Sequence, residues 1–174
     1  MRAAAKIAVA ALSLSAAGLG WLVANEGGQH LQAYRPTPKD VPTICLGSTR
    51  HIDGSRVKMG DALSKEQCDA LDRSNIARFE ASVRKCTKAP ISQVEYDTLV
   101  DFAFNVGVSG YCKSTMVRLI NARHYIDACY QYRRWRYHAG FDCSTPGNRI
   151  CAGIWTRRLQ AEAKCLHANG IVGL

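Results

Sequence analysis

Glu26 closes an apolar stretch that runs from Ile7 to Ala24, and its neighbours in sequence, Asn25, Gly27, Gly28 and Gln29, carry no charge. A carboxylic acid partly desolvated in such a setting would suit proton donation near neutral pH. The other reading is a helix-end glutamate in open water. A second chemical candidate is Arg133-Arg134-Trp135-Arg136, basic with an aromatic inside it. It fits a stacking patch for nucleic acid less well than a helix whose Trp135 packs inward while the arginines face solvent. No two cysteines are spaced C-x-x-C, and His30, His51, His124, His138 and His167 show no ligand pairing. Neither a metal site nor a cofactor is expected.

The chain carries eight cysteines, an even number spread along its length. Any one of them is as consistent with a buried core residue. Together they read as disulfides formed in an oxidising compartment. Cys143 and Cys151 flank the turn-rich insert Ser-Thr-Pro-Gly-Asn-Arg-Ile and are expected to bridge; the other pairings stay open. Composition narrows the class further. Of 174 residues 47% are hydrophobic, which excludes a disordered tail, and 14 Gly with 5 Pro exclude collagen and low-complexity chains. With 23 Lys and Arg against 14 Asp and Glu, the net charge of +9 suits an anionic cell envelope.

The elements that must position Glu26 begin with the apolar run itself. Arg2 and Lys6 precede its 18 residues, as basic residues precede the core of an export signal. Ten of the 18 are Ala, Ser or Gly, and seven are Leu, Ile or Val, so the run is long enough to cross a bilayer but only weakly apolar. Three fates are open: a signal cleaved after Ser15-Ala16-Ala17, a retained anchor, or a buried helix. Residues 34–60, rich in Pro and Gly, read as short strands and turns. Ser64 with Gln67 and Ser92 with Glu95 are capping boxes, each opening a long helix, the second far more apolar. Breaks are expected at Gly107 and Gly110. Ser114 caps a short helix, residues Tyr125 to Trp135 form another, and Thr156 caps the last. The expected fold class is α+β, with a small β-containing lobe, a connecting helix and a helical lobe.

The ordered set Glu26-Gly27-x3-Leu31-x-Ala33-Tyr34-Arg35 and Pro42-Thr43-Ile44-Cys45-x-Gly47 resembles the catalytic region of phage-type lysozymes, glycoside hydrolase family 24. Within that family it is most similar to endolysins with signal-arrest-release anchors. The resemblance continues through Met59-Gly60-Asp61, Glu66-Gln67-Cys68, Phe104-Asn105-Val106-Gly107, Ser114-Thr115-Met116, Arg134-Trp135 and Thr156-Arg157-Arg158. It implies a two-lobed lysozyme-like fold and cleavage of the β-1,4 bond between N-acetylmuramic acid and N-acetylglucosamine in peptidoglycan. Glu26 matches the essential acid and Thr43 the threonine beside the attacking water. Tyr34 and Gly47 match positions lining the cleft, Asn105 a substrate-binding position, and Arg157 or Arg158 the arginine that holds the acid.

Two departures bear on mechanism. The Glu26-to-Thr43 interval is 17 positions, two longer than is usual, and Pro36 follows Tyr34-Arg35 where the family carries an aspartate. The nearest carboxylate is Asp40, three residues before Thr43, and Ser48 stands where many relatives have a histidine. An inverting glycosidase needs its carboxylates about 6.5–9.5 Å apart, and Asp40 is the candidate base. The alternatives are cleavage to an anhydro product, as in lytic transglycosylases, or a non-enzymatic peptidoglycan-binding or membrane-disrupting protein on this fold. The resulting expectation is an exported endolysin. Residues 1–25 form a signal or anchor holding residues 26–174 on the periplasmic face of the inner membrane, then releasing a monomer into the periplasm. Its partners are glycan strands and, through residues 7–24, the membrane, with no nucleic acid.

Overall fold

The computed structural model describes residues 2–36 and 40–171. In chain order it contains α1 (Ala16–Asn25), β1 (His30–Tyr34), β2 (Thr43–Cys45), α2 (Lys65–Cys86) and α3 (Gln93–Cys112). Then follow α4 (Thr115–Asn121), α5 (Tyr125–Tyr130), β3 (Tyr137–His138), β4 (Phe141–Asp142) and α6 (Ala152–Ala168). The α+β reading holds. A small lobe is built on the antiparallel β1–β2 pair, in which Tyr34 faces Thr43, and a helical lobe gathers α3 to α6.

Helix α2 belongs to both. Its first turns bury Cys68 and Leu71 with Ile44, Cys45 and Val57 under the β lobe. Further along, Ile76, Phe79 and Val83 join the main core of Tyr96, Val100, Phe102 and Tyr111. A strut anchored in two cores fixes the spacing of the lobes. Its start is the expected capping box: Ser64 Oγ accepts from Gln67 N–H while the Gln67 side chain accepts from Ser64 N–H. The same reciprocal bonds join Ser92 and Glu95 at the start of α3, and Ser114 Oγ accepts from Val117 N–H to open α4.

Several local expectations change. The chain kinks inside α3 at Gly107, whose φ of 79° is readily adopted only by glycine, but continues helical through Gly110. The helix from Tyr125 ends at Tyr130 and tightens into a 3-10 turn over Gln131–Arg134. Thr156 does not cap the last helix, which begins at Ala152; its hydroxyl donates back to the Ala152 carbonyl from the helix interior. A hairpin absent from the sequence reading pairs Tyr137 with Asp142 and His138 with Phe141 across an Ala139-Gly140 turn with both φ positive.

The apolar run is not one helix. It forms a 3-10 turn at Val9–Ala11, an extended stretch, and then α1, capped by Ser15. Val9, Leu12 and Leu22 are buried in the main core. Side chains satisfy the backbone groups freed by the break. Leu14 N–H donates to Glu80 at 2.8 Å, Ser15 N–H and Oγ donate to Asp97, and the Leu12 and Ser13 carbonyls accept from Arg84 and Gln93. At the start of the run Ile7 pairs with Ile91, and just ahead of it Lys6 Nζ lies 2.6 Å from both Glu95 oxygens and 3.8 Å from the centre of the Tyr125 ring. Among the described residues no helix is long and apolar enough to cross a membrane.

All eight cysteines are paired: Cys45–Cys68, Cys86–Cys112, Cys129–Cys165 and the expected Cys143–Cys151. The first ties β2 to α2, the second joins the C-terminal ends of α2 and α3, and the third ties α5 to α6.

Candidate active site

Glu26 sits at the C-terminal end of α1, its N–H still bonded to the Leu22 carbonyl. Gly27 and Gly28 follow with φ of 78° and 92° and turn the chain into β1. That sharp exit leaves the carboxylate at the boundary of the two lobes, with 21% of the side chain accessible. The group is neither fully buried nor free in water.

What holds it comes from the far end of the chain. Arg157 Nη1, on α6, donates to Glu26 Oε1 at 2.7 Å. The same guanidinium forks onto Asp101 of α3, with Nε 3.0 Å from Oδ2 and Nη2 2.5 Å from Oδ1. Asp101 is 1% exposed and also receives Asn25 Nδ2 at 3.5 Å. A planar fork matched to a carboxylate fixes the guanidinium in position and orientation. Burial opposes the charge on Arg157, but the hydrogen bonds and charge of Asp101, with Glu26 behind them, hold its pKa above the ordinary value. Glu26 Oε2 has no hydrogen-bond partner among the described residues.

Arg158 has a different task. Its Nε donates to the Trp135 carbonyl at 3.1 Å, its Nη2 to Asn105 Oδ1, and its Cζ lies 5.2 Å from the Phe102 ring centre. Burial, and then repulsion by Arg157, pull its pKa down to about 10. Of the two arginines offered for the role of holding the acid, Arg157 reaches it, while Arg158 sets Asn105 ahead of the Gly107 kink.

On the β side, Thr43 is buried in β2 and its hydroxyl donates to the Tyr34 carbonyl at 3.3 Å. The half-buried Tyr34 ring lies 4.2 Å from His30. Ser48 accepts from Asn75 Nδ2 at 2.6 Å, tying the turn after β2 to α2. The same turn is held by Asp72, which accepts from Leu46 N–H at 3.1 Å and whose carboxyl burial pushes up against the hydrogen bonds it receives. Asp40 is exposed and has no hydrogen bond or ion pair among the described residues; its preceding neighbours, 37–39, lie outside them.

Sequence reasoning missed Asp101, Asn25 and Asp72. The signal for Asp101 was available: an aspartate flanked by Val100 and Phe102 inside an apolar helix needs a buried partner. The basic patch is largely committed to acids. Arg133 pairs with the buried Glu162 and Arg136 with Asp142, while Trp135 packs edge-on to Phe102 with ring centres 5.3 Å apart. No cluster of three or more His, Cys, Asp or Glu that could hold a metal ion occurs among the described residues.

Comparison with known proteins bears on this arrangement. The family model "Phage lysozyme" matches residues 24–161, a span that contains Glu26, Asp101 and Arg157. The chain is 34% identical over 164 residues to the SAR-endolysin of Escherichia phage 933W, covering 90% of this chain and 91% of that protein. It is 30% identical over 112 residues to the endolysin of Salmonella phage P22, covering 64% of this chain and 76% of the relative. Its fold is similar to that of the endolysin from Escherichia coli O157:H7 phage FAHEc1, with a TM-score of 0.75 and 28% identity, over 94% of this chain and 98% of that one.

Proposed function

Because this chain belongs to the phage lysozyme family, we propose that Glu26 is the acid of its lysozyme reaction, donating a proton to a glycosidic oxygen of the substrate. The protein is a glycoside hydrolase of the lysozyme type, an endolysin that degrades peptidoglycan. The bond cut is the β-1,4 link between N-acetylmuramic acid and N-acetylglucosamine. The observation that carries the assignment is the Glu26–Arg157–Asp101 chain, which joins α1, α6 and α3 at one carboxylate. Held through Oε1, Glu26 keeps Oε2 for the glycosidic oxygen. Breaking the bond with proton transfer leaves an oxocarbenium-like sugar that water attacks from the opposite face.

The second group in this reading is Asp40, on the loop that joins β1 to β2, with Thr43 beside the attacking water and Tyr34 and Asn105 against the sugars. Glu26→Gln is expected to abolish release of muropeptides from purified cell walls. Retained lysis by that variant would favour a cationic, non-enzymatic protein instead. Mass spectrometry of the products separates reducing ends from anhydro ends, and full turnover by Asp40→Asn would remove Asp40 from the mechanism.

Four disulfides support export, since such bonds persist outside the reducing cytosol. Residues 7–24 then have two successive environments. Tethered, they lie in the inner membrane with Lys6 on the cytoplasmic side and Glu26 two residues from the bilayer, so that the acid cannot meet Arg157. Released, they take the path seen here, through the core and into α1. The ten small residues of the run make membrane residence weak enough for that exchange.

A further inference from the structure

Beyond β2 the chain of the β lobe folds back on itself over residues 49–57. Val57 N–H donates to the Thr49 carbonyl and His51 N–H to the Ser55 carbonyl, so Arg50 and Arg56 stand directly opposite each other between these bonds. Opposed residues without mutual hydrogen bonds are the closer kind of antiparallel pair, with side chains about 5 Å apart at Cβ, and like charges placed so repel. Arg50 turns its Nη1 to the Gly54 carbonyl at 2.6 Å. The side chains of Arg56 and Lys58 have no hydrogen bond or ion pair with a described residue. All three cations line one hollow of about 480 Å³.

The other walls of the hollow are Val41, Pro42, Thr49 and Val57, so no acid among the described residues lines it. Two nearby carboxylates are engaged elsewhere. Asp53 accepts from Ser55 N–H and hydroxyl, and Asp61 accepts from Lys58 N–H and lies 2.8 Å from His51 Nε2. Asp40, beside Val41, is exposed and outside the lining. Apolar side chains border the cations: Val41 is 58% exposed in the wall, and Met59, which follows Lys58, is 54% exposed. One exposed apolar residue needs no explanation, but two beside three cations have the composition of an interfacial surface. A small free anion would call for buried donors, whereas Arg50, Arg56 and Lys58 are all exposed.

We propose that Arg50, Arg56 and Lys58, together with Val41 and Met59, form a docking surface for a bilayer containing anionic phospholipid. The cations meet the lipid phosphates, and the two apolar side chains enter the boundary between headgroups and acyl chains. This surface is separate from residues 7–24 and acts in the folded domain, where Val9, Leu12 and Leu22 are already committed to the core. It does not depend on the role assigned to Glu26. The attachment is peripheral: each cation near a negatively charged leaflet strengthens it, and salt screens it.

The test is flotation of the folded, full-length protein with vesicles of phosphatidylglycerol and phosphatidylcholine, and with vesicles of phosphatidylcholine alone. Binding is expected to the first and not to the second. Arg56→Gln combined with Lys58→Gln should weaken it on the order of tenfold or more. Lys113→Gln combined with Arg118→Gln removes the same charge from exposed positions of the helical lobe and should weaken it less than about threefold. Val41→Ser combined with Met59→Ser should weaken binding about fivefold and leave its salt dependence unchanged. Equal losses from the two charge pairs would show that binding follows net charge alone and would overturn the proposal. Undiminished binding after all four β-lobe substitutions would do the same. So would displacement by inorganic phosphate at matched ionic strength, which marks a site for a single phosphate and not a bilayer surface.

Discussion

At the scale of single residues, the chemistry depends on a charge arrangement that is not balanced one to one. Arg157 serves two carboxylates, and only Asp101 meets it with both oxygens. Asp101 therefore acts on Glu26 at one remove, through the guanidinium it orients. Replacing Asp101 by Ala leaves a buried guanidinium with a single partner, and losing one member of a buried pair typically costs about 3–5 kcal/mol. Chemical denaturation should register that loss. Activity should fall further than stability explains, because Arg157 is then free to rotate away from Glu26. A variant that loses stability yet keeps full turnover at a temperature where it remains folded would show that Asp101 plays no positioning part. The sequence identified the arginine pair but not its division of labour. Consecutive helical residues point about 100° apart, and only the packing of α6 against α3 decides which of the two faces the acid.

At the scale of elements, what was legible was what is local. Ser64, Ser92 and Ser114 each cap a helix with a partner three residues on, so four adjacent positions contain the whole signal. The β3–β4 hairpin was not legible because its turn is Ala-Gly, lacking the Asn or Asp that usually advertises two positive φ values. The break in the apolar run was hidden for another reason. Its partners Glu80, Arg84, Gln93 and Asp97 lie 66 to 82 positions away. Apolar composition also reads alike whether the surroundings are lipid or protein core. Gly18 shows how closely the segment fits: a Cβ there would come within 2.5 Å of the Asp97 side chain. Gly18, one of the small residues that would weaken a membrane anchor, is thus also one that lets the segment seat against α3. Gly18→Leu should act in both places, strengthening the hold of lipid and blocking the seat. The expected result is protein retained in the membrane fraction and loss of lysis; normal release and lysis would contradict the tethering proposal.

At the scale of the whole molecule, the disulfides are distributed by lobe. Cys45–Cys68 closes 23 residues around the β lobe, while Cys86–Cys112 and Cys129–Cys165 close 26 and 36 in the helical lobe. Cys143–Cys151 closes only 8. On a chain-entropy basis the longest loop contributes about 4 kcal/mol and the shortest about 2.5 kcal/mol. The short bridge lies in the insert between Trp135, which Arg158 holds, and the start of α6, which bears Arg157. Replacing Cys143 and Cys151 by Ser should therefore lower the melting temperature less than replacing Cys129 and Cys165. Its effect on turnover relative to stability should be the larger of the two. The reverse order for melting temperature would show that strain or residual structure outweighs loop closure here.

The contact between Lys6 and Glu95 has an electrical consequence. If residues 7–24 begin in a bilayer with Lys6 inside the cell, the pair can close only after Lys6 and Arg2 have crossed to the outside. Each elementary charge moved outward against an inside-negative potential costs about 2.3 kcal/mol per 100 mV. Two side chains roughly double that figure. On the tethering proposal, an energised membrane would act as a latch on the fold, and a discharged one would let the domain complete itself.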